Sequence, residues 1–376
     1  MVSADVEALS GLMDDLLAAV ESPGNAERRE RPEPRISVYL ENLGWAQLFD
    51  YDMNDFYGSA ETQLALTIRQ KLYQFEQFDD DSPVTPDVGV TIGMYWDYPM
   101  VGLSVRHQAD GVPLIQDDHP LSREADLSLL APQGFRTGGE MPRLFALYDR
   151  VVELVDGRLP VHFPTWSRGP LDMAVQFRGY EQFVLDCFER PQFVHDLLKW
   201  LVEQRIRWWD GYCEAFGVTD RTCGIADDWI NAPFITPAIF HDFLLPRYLE
   251  LEAYHGRIPF LHSCGDQAPF HQDMLTIKTL DSYEQNPWTD IEATLRNIPA
   301  DKWLTVSIRN ADVLFFEEEA VRRQIGRIVD RCVGRRYCII GQALQRMHDD
   351  IREDLRRTQR WIGIVRDTVR GRILAS

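Results

Sequence analysis

The chain has 376 residues, with 59 acidic against 39 basic side chains and a formal net charge of −20 at pH 7. A protein with this charge repels nucleic acids and anionic membranes, so we expect neither as a partner. Its six cysteines include no C-x-x-C pair and are too few for a disulfide framework, which favours a reducing, cytoplasmic location.

The N-terminal segment predicts an amphipathic helix followed by a linker. Apolar residues recur at helical spacing over residues 6–20, but acidic residues interrupt them and no basic segment precedes them, so we expect no signal peptide. Residues 21–35 combine Pro, Gly and dense charge, as linkers do. We therefore divide the chain into residues 1–34, an N-terminal helical extension, and residues 35–376, a single domain.

Eight short apolar segments alternate with longer amphipathic stretches along the rest of the chain. The predicted strands are residues 36–40, 88–95, 159–163, 223–226, 258–261, 279–283, 303–308 and 337–340. The predicted helices are residues 60–78, 142–155, 193–216, 237–254, 317–332 and 347–369. This alternation predicts an α/β fold with parallel strands, and eight such units predict a (β/α)8 TIM barrel. Residues 97–132 lack the pattern and are expected to fold over one mouth of the barrel.

Polar side chains concentrate at the predicted strand ends. In such a barrel the carboxyl ends of the strands meet at one face, where the active site lies. The candidate catalytic carboxylates are Asp227, Asp228 and Glu284. The candidate substrate contacts are His162, Trp166, Arg168, Asn286 and Gln342, of which Arg168 is suited to hold an acid group. The alternative for residues 160–170 is a packing histidine and a turn that leads into a helix.

The strongest local signal is the segment His262-Ser-Cys264. Residues two apart on an extended strand point to the same side, and imidazole with thiolate suits Zn²⁺. A third ligand must come from elsewhere: Cys338 at the end of the last predicted strand, or an oxygen of Glu284 or Asp227. The alternative is that His262 is a hydrogen-bonded buried histidine and that the cysteines are small core side chains.

Asp227 and Asp228 end another predicted strand. Adjacent residues on a strand face opposite ways, so only one of the two carboxylates faces the cavity unless the strand has already ended. Such a carboxylate suits general acid–base catalysis or substrate anchoring. The alternative is a loop and helix-capping role next to Thr236 and Pro237.

With these residues assembled, the chain resembles the uroporphyrinogen decarboxylase superfamily. The similarity is best in residues 167–179, 226–229 and above all 262–266, His-Ser-Cys-Gly-Asp, which resembles the H-x-C-G signature of the zinc-dependent, corrinoid-linked methyltransferases. In those enzymes the His, the Cys and a more distant Cys bind zinc that activates a thiol. The distant Cys there follows a Gly-rich turn after the last strand, whereas Cys338 lies a few residues earlier.

The resemblance implies zinc-assisted methyl or alkyl transfer involving a small-molecule thiol, with His262, Cys264 and Cys338 as metal ligands. The chain has no D-x-H-x-x-G cobalamin signature, so a corrinoid would be carried by a separate protein. Two rival hypotheses are a related decarboxylase that acts on a smaller acid through Asp227 or Asp228, and a non-catalytic barrel subunit. Whether the chain is a monomer or a homodimer stays open.

We predict that the chain does not decarboxylate uroporphyrinogen. The decarboxylases carry an Arg-rich motif after the first strand that grips a polycarboxylate, but no Lys or Arg lies between Arg35 and Arg69 here. Without such cations the desolvation of several carboxylates is not offset. Incubation with uroporphyrinogen should yield no coproporphyrinogen under conditions in which an authentic decarboxylase converts it. Turnover comparable to that control would contradict the prediction.

Overall fold

The computed structural model describes residues 6–93, 95–115, 120–344 and 347–374, and these form a mixed α/β fold. The strands are β1 (Arg35–Leu40), β2 (Val88–Gly89), β3 (Val105–Arg106), β4 (Leu114–Ile115), β5 (Val161–His162), β6 (Ile225–Ala226), β7 (Leu261–His262), β8 (Ser282–Gln285), β9 (Trp303–Ile308) and β10 (Tyr337–Leu344).

The α-helices are α1 (Val6–Glu21), α2 (Pro23–Glu30), α3 (Asn42–Phe49), α4 (Met53–Gly58), α5 (Ala60–Gln77), α6 (Met141–Val155), α7 (Pro170–Arg178), α8 (Tyr180–Glu189), α9 (Pro191–Phe216), α10 (Pro237–Ile239), α11 (Leu245–His255), α12 (His271–Met274), α13 (Ile291–Asn297), α14 (Asn310–Leu314), α15 (Glu318–Arg331) and α16 (Ile351–Ile373). Short 3₁₀ turns span Pro99–Val101, Leu127–Leu129 and Ala268–Phe270, and a π-helical turn over Phe240–Leu244 joins α10 to α11.

Parallel pairing links the strands in chain order, and the first strand lies beside the last. β1, β10, β9 and β8 form one four-stranded sheet, and β2 pairs with β5 and β6 with β7. Single parallel bridges connect these groups, Phe260 with Ser282 and Arg168 with Ala226. Among the described residues no pairing joins β1 to β2, the contact that would close a ring. The order agrees with a barrel, and closure remains a prediction.

The sequence pattern located the main elements correctly. Each of the eight predicted strands overlaps a strand of the structure, and each of the six predicted helices overlaps an α-helix. Helices α2, α3, α4, α7, α8, α12, α13 and α14 were not predicted, because they are short or carry an interrupted apolar pattern. Buried residues at spacings of three and four in α15, such as Val321, Ile325 and Ile328, explain why the amphipathic stretches were easy to recognise.

The segment predicted as a linker contains helix α2. Ser22 caps its first turn and Pro23 occupies the first helical position, which outweighs the linker-like composition. The Arg28 guanidinium is buried, forming an ion pair with Asp80 at 3.2 Å and donating to backbone carbonyls of residues 75, 78 and 82. The side chain of Asn25 exchanges two hydrogen bonds with the backbone of Val84. This segment is therefore held against the rest of the chain.

Residues 97–132 form the irregular excursion that their composition predicts, as far as they are described. β3 and β4 pair antiparallel within it. Its ends contact other elements: the carbonyl of Ala109 accepts a hydrogen bond from Met53 of α4, and the amide of Leu121 donates to Phe177 of α7. Across the described ranges, no helix combines the length and the apolar character that a membrane span requires.

We predict that the N-terminal helix contributes to the stability of the main core. Leu9, Met13 and Leu16 of α1 are buried in the same apolar cluster as the strands. The substitution Leu16→Ala should therefore lower the free energy of unfolding by about 2–5 kcal/mol, measured by denaturant titration. Asp15→Ala, at an exposed neighbouring position, is the control and should change it little. Equal stability of the two variants would indicate an independent extension.

Candidate metal centre

The candidate centre is built at the ends of two neighbouring strands, β6 and β7. β7 ends at His262, and the chain continues through Ser263 to Cys264. Nε2 of His262 lies 3.3 Å from Sγ of Cys264. The two side chains are therefore on the same side of the backbone, as their spacing indicates.

The loop that carries Cys264 is fixed through its backbone. Nδ2 of Asn286 donates to the carbonyl of Ser263 at 2.7 Å and to that of Gly265 at 3.1 Å. Gly265 lies so close to Asn231 that a Cβ atom there would be 2.5 Å from the Asn231 side chain. A larger residue at 265 would displace the loop, so Gly is needed. Asn286, which we expected to contact substrate, instead positions this loop.

Asp228 brings a third donor to the same point. Its Oδ1 atom lies 3.3 Å from Nε2 of His262 and 3.4 Å from Sγ of Cys264. One ligand atom from each residue falls within 4.8 Å of the other two. Nitrogen, sulfur and oxygen donors at this separation are a set that Zn²⁺ accepts.

Glu284 of β8 orients the imidazole from the opposite side. Nδ1 of His262 donates to the Glu284 carboxylate, with distances of 2.8 and 2.9 Å to its two oxygens. The same carboxylate accepts a hydrogen bond from the amide of Ser263 at 3.2 Å. With Nδ1 bound to Glu284, Nε2 faces Asp228 and Cys264, and it can offer a lone pair there once it has lost its proton. This carboxylate–histidine pairing is the usual support for a histidine metal ligand.

Arg168 holds the other oxygen of Asp228. Its Nη1 donates to Oδ2 of Asp228 and to Oδ2 of Asp172, both at 2.7 Å. The backbone amide of Arg168 donates to the buried Asp97 at 3.0 Å. Two carboxylates therefore bind the guanidinium and a third binds the backbone of the same residue, so the charge of Arg168 is already matched within the protein. This arrangement does not support our expectation that Arg168 binds an acid group of the substrate.

The mutual contacts shift the pKa values of these groups. Burial disfavours the charged form of His262, but its contacts with Asp228, Cys264 and Glu284 outweigh that effect and raise its pKa to about 12. Burial also disfavours the charged form of Asp228, yet His262 and the charge of Arg168 lower its pKa below the usual range. Burial raises the pKa of the Cys264 thiol. Without a metal, the centre thus holds an imidazolium between two carboxylates.

Asp227 has a different role from its neighbour. Its carboxylate accepts hydrogen bonds from the first amides of α7, those of Leu171 at 2.9 Å and Asp172 at 2.7 Å, and from the hydroxyl of Tyr248. Burial raises its pKa. The two adjacent carboxylates have different partners, but β6 ends at Ala226, so both lie beyond the strand and alternation along it is not the cause. Asp227, expected to be catalytic, is instead placed as the cap of α7.

The structure does not bring Cys338 to the centre. β10 extends to Leu344, so Cys338 is the second residue of an eight-residue strand and lies near its amino-terminal end. Its Sγ atom is 3.9 Å from Oγ1 of Thr305. The predicted strand was too short at its carboxyl end, and this placed Cys338 at the wrong end of the strand. Within the described ranges the grouped ligand atoms come from Asp228, His262 and Cys264.

Three other expected substrate contacts lie away from the centre. His162 is exposed and its Nε2 is 4.0 Å from Asp87, the residue before β2. Trp166 is buried, and its indole nitrogen donates to the carbonyl of Arg168. Gln342 donates to Ser307 of β9 at 2.9 Å. The packing alternative for residues 160–170 describes the buried Trp166, whereas the exposed His162 is not a packing histidine.

Sequence reasoning missed two buried carboxylates that belong to the centre's surroundings, Asp97 and Asp172. One oxygen of each has no hydrogen-bond partner among the described residues. Asp172 follows Arg168 by four residues at the start of a helix, a spacing that brings the two side chains together and could have been noticed. Asp97 carried no such signal, because it begins the irregular excursion and meets Arg168 only through the tertiary fold.

A cavity of about 450 Å³ lies beside the centre rather than around it. Residues after β8 and β9 and along α15 line it, among them Asn286, Ser307 and Arg327. Asn286 also holds the Cys264 loop, so the cavity and the centre share this residue. The three grouped donors lie outside the lining of this cavity. We therefore place the candidate site at the donors and not in the cavity.

We predict that Asp97 makes stability depend on pH. Burial raises its pKa from 3.8 to about 6, so the folded protein binds this proton more tightly than the unfolded chain. The free energy of unfolding contributed by this group therefore falls as the pH rises through that window, by up to ~3 kcal/mol. In denaturant titrations at pH 4 to 7, Asp97→Asn should lose less stability with rising pH than the unsubstituted protein. Asp15→Asn, at an exposed position, is the control, and parallel curves for all three would contradict the prediction.

Comparisons with known proteins identify the family. No curated protein sequence matches the chain at a significant level. A solved structure, a methyltransferase from Methanosarcina mazei, superposes with a TM-score of 0.63 over 94% of this chain and 98% of that chain, at 16% sequence identity. At this identity the likeness shows a shared fold. The uroporphyrinogen decarboxylase (URO-D) family model matches residues 87–342. Because this match covers more than half of the chain, the chain belongs to the uroporphyrinogen decarboxylase family.

Proposed function

We propose that this protein is a zinc-dependent methyltransferase that transfers a methyl or alkyl group to the sulfur of a thiol, or from the corresponding thioether. The observation that carries the proposal is the convergence of Asp228, His262 and Cys264 within 4.8 Å of one another. We further propose that the eight parallel strands close into a (β/α)8 barrel, so that this centre lies at the carboxyl face where barrel enzymes act.

The chemistry of the donors fits zinc. Catalytic zinc sites commonly use three protein ligands and keep a fourth position open for substrate. In the proposed site His262 supplies Nε2, Cys264 supplies Sγ, and Asp228 supplies Oδ1. When bound, Zn²⁺ would supply a Lewis acid that favours the deprotonated form of a substrate thiol. In the proposed site Asp228 is thus the third ligand, the role that we expected for Cys338.

The surrounding residues prepare these donors. Glu284 accepts a hydrogen bond from Nδ1 of His262, so Nε2 is the atom that would coordinate the metal after losing its proton. The Cys264 thiol must lose its proton before its sulfur can bind a metal, and burial, which raises the pKa of this thiol, opposes that loss. Metal binding should therefore release protons and weaken as the pH falls.

The methyl carrier would be a separate molecule. Methyl transfer is supported by the fold that the chain shares with the Methanosarcina mazei methyltransferase. The chain itself contains no D-x-H-x-x-G segment. We therefore propose a corrinoid protein, or another methyl carrier, as the partner, with a small-molecule thiol as the second substrate.

We predict that Cys264→Ala abolishes zinc binding while Cys338→Ala preserves it. The first substitution removes a donor of the proposed centre, and the second removes a thiol beside Thr305. Zinc content would be measured by elemental analysis after purification without chelators, and far-UV circular dichroism should be unchanged in both variants because the barrel does not depend on the metal to fold.

The opposite pattern of zinc loss would remove Cys264 from the ligand set and restore Cys338 as a thiolate ligand. Zinc that is absent from the unsubstituted protein would contradict the zinc-dependent function. It would favour the rival hypothesis of a metal-free decarboxylase that acts on a smaller acid.

A further inference from the structure

We propose that Arg168 is a positioning residue that determines which oxygen of Asp228 faces the metal, and that Asp172 fixes Arg168 for this task. The inference rests on the proposed function and concerns residues that contact Asp228, the third ligand of the proposed centre. It concerns side chains that contact the ligand and would not touch the metal themselves.

The two oxygens of Asp228 have separate partners. Oδ2 accepts the hydrogen bond from Nη1 of Arg168 at 2.7 Å. Oδ1 is the atom that lies 3.3 Å from His262 and 3.4 Å from Cys264. A carboxylate without a fixed partner can rotate or bind a cation through both oxygens. Since the guanidinium occupies Oδ2, Asp228 is restricted to presenting Oδ1 alone.

Arg168 is itself held at both ends. Its side chain is 8% exposed, and the Nη1 atom that binds Asp228 also donates to Asp172 at 2.7 Å. Its backbone amide donates to Asp97, and its carbonyl accepts from Nη1 of Arg205 at 2.7 Å. The guanidinium also lies over the Tyr95 ring, 5.5 Å from its centroid. These contacts leave the guanidinium little freedom to leave Asp228.

The backbone near Arg168 is coupled to the strand that carries Asp228. Arg168 forms a parallel bridge with Ala226, and the amide of Gly169 donates to the Ala226 carbonyl at 2.7 Å. The Asp227 carboxylate accepts hydrogen bonds from the first two backbone amides of α7. A Cβ at position 169 would lie 2.3 Å from the Asp227 carboxylate, so only Gly permits this approach. The adjacent Asp227 and Asp228 thus bind the same segment, one through its backbone and the other through its arginine.

The charge and shape of arginine explain its use here. One cation lies among the carboxyl groups at positions 97, 172 and 228 and offsets a single negative charge, so burial raises the pKa of Asp97 and of Asp172. A guanidinium offers fixed, planar donors, whereas a lysine ammonium is a single point charge on a flexible chain. A partner of a metal ligand typically changes metal affinity by tenfold to a hundredfold when it is removed.

A double-mutant cycle on zinc affinity tests the inference. The variants are Arg168→Met, Asp228→Asn and the double substitution, with zinc affinity measured by competition with a chromophoric chelator. We expect each single substitution to weaken zinc binding about tenfold or more. We expect Arg168→Met to have almost no further effect in the Asp228→Asn background, because the arginine acts through that carboxylate.

Two further variants separate positioning from folding. Arg178→Met removes the buried arginine at the end of α7, which pairs with Asp186 at 2.6 Å, and should reduce the free energy of unfolding without changing zinc affinity. Arg168→Lys keeps the buried charge and should therefore disturb the fold less than Arg168→Met. If the Met variant is unstable, the same double-mutant cycle can be run with the Lys variant. Asp172→Asn should weaken zinc binding less than Arg168→Met, and only when Asp228 is present.

The outcomes are distinct. Equal losses of affinity with and without Asp228, or no loss with either substitution of Arg168, would overturn the positioning role while leaving zinc binding by His262 and Cys264 intact. Zinc affinity that survives Asp228→Asn would remove Asp228 as a ligand and this inference with it. Failure of the unsubstituted protein to bind zinc would instead contradict the proposed function itself.

Discussion

The ion pair between the buried Arg168 and the partly buried Asp228 connects most of the structural features around the candidate centre. A carboxylate taken out of water needs a cation and hydrogen bonds, and breaking such a pair leaves an uncompensated charge. Here one nitrogen of the Arg168 guanidinium donates hydrogen bonds to Asp172 and Asp228, and the backbone amide of Arg168 donates one to Asp97. The start of α7, the end of β6 and the excursion that begins at Asp97 therefore meet at one residue. The position of Asp228 depends on all three.

The sequence could predict those parts of the fold and of the centre that depend on local patterns. His262 and Cys264 were found because their relation is local: two residues at a strand end share a side of the backbone. The main strands and helices were found because their apolar residues recur with regular periods. Asp228 was placed among the carboxylates but was not recognised as a metal ligand, because its approach to Cys264 depends on the pairing of β6 with β7.

The remaining errors have equally specific causes. Cys338 was assigned to the centre because the last strand was expected to end at residue 340, and four further strand residues move its thiol away from the carboxyl end. His162 was assigned because it ends β5, yet its side chain points towards Asp87. The composition of residues 21–35 concealed α2, whose helical state depends on the cap at Ser22 and on the burial of Arg28. In each case tertiary context decided what a local pattern could not.

In the proposed centre, an aspartate in place of a second thiolate has a defined chemical consequence. Both groups carry one negative charge, so the exchange leaves the formal charge of the donor set unchanged. Oxygen is a harder donor than sulfur, and it binds metals such as Mg²⁺, Ca²⁺ and Mn²⁺ more readily, whereas sulfur selects softer ions. The hydrogen bond from Arg168 withdraws further electron density from Asp228. A metal held by these donors would therefore keep more of its positive charge than one held by two thiolates, and would polarise a bound substrate thiol more strongly.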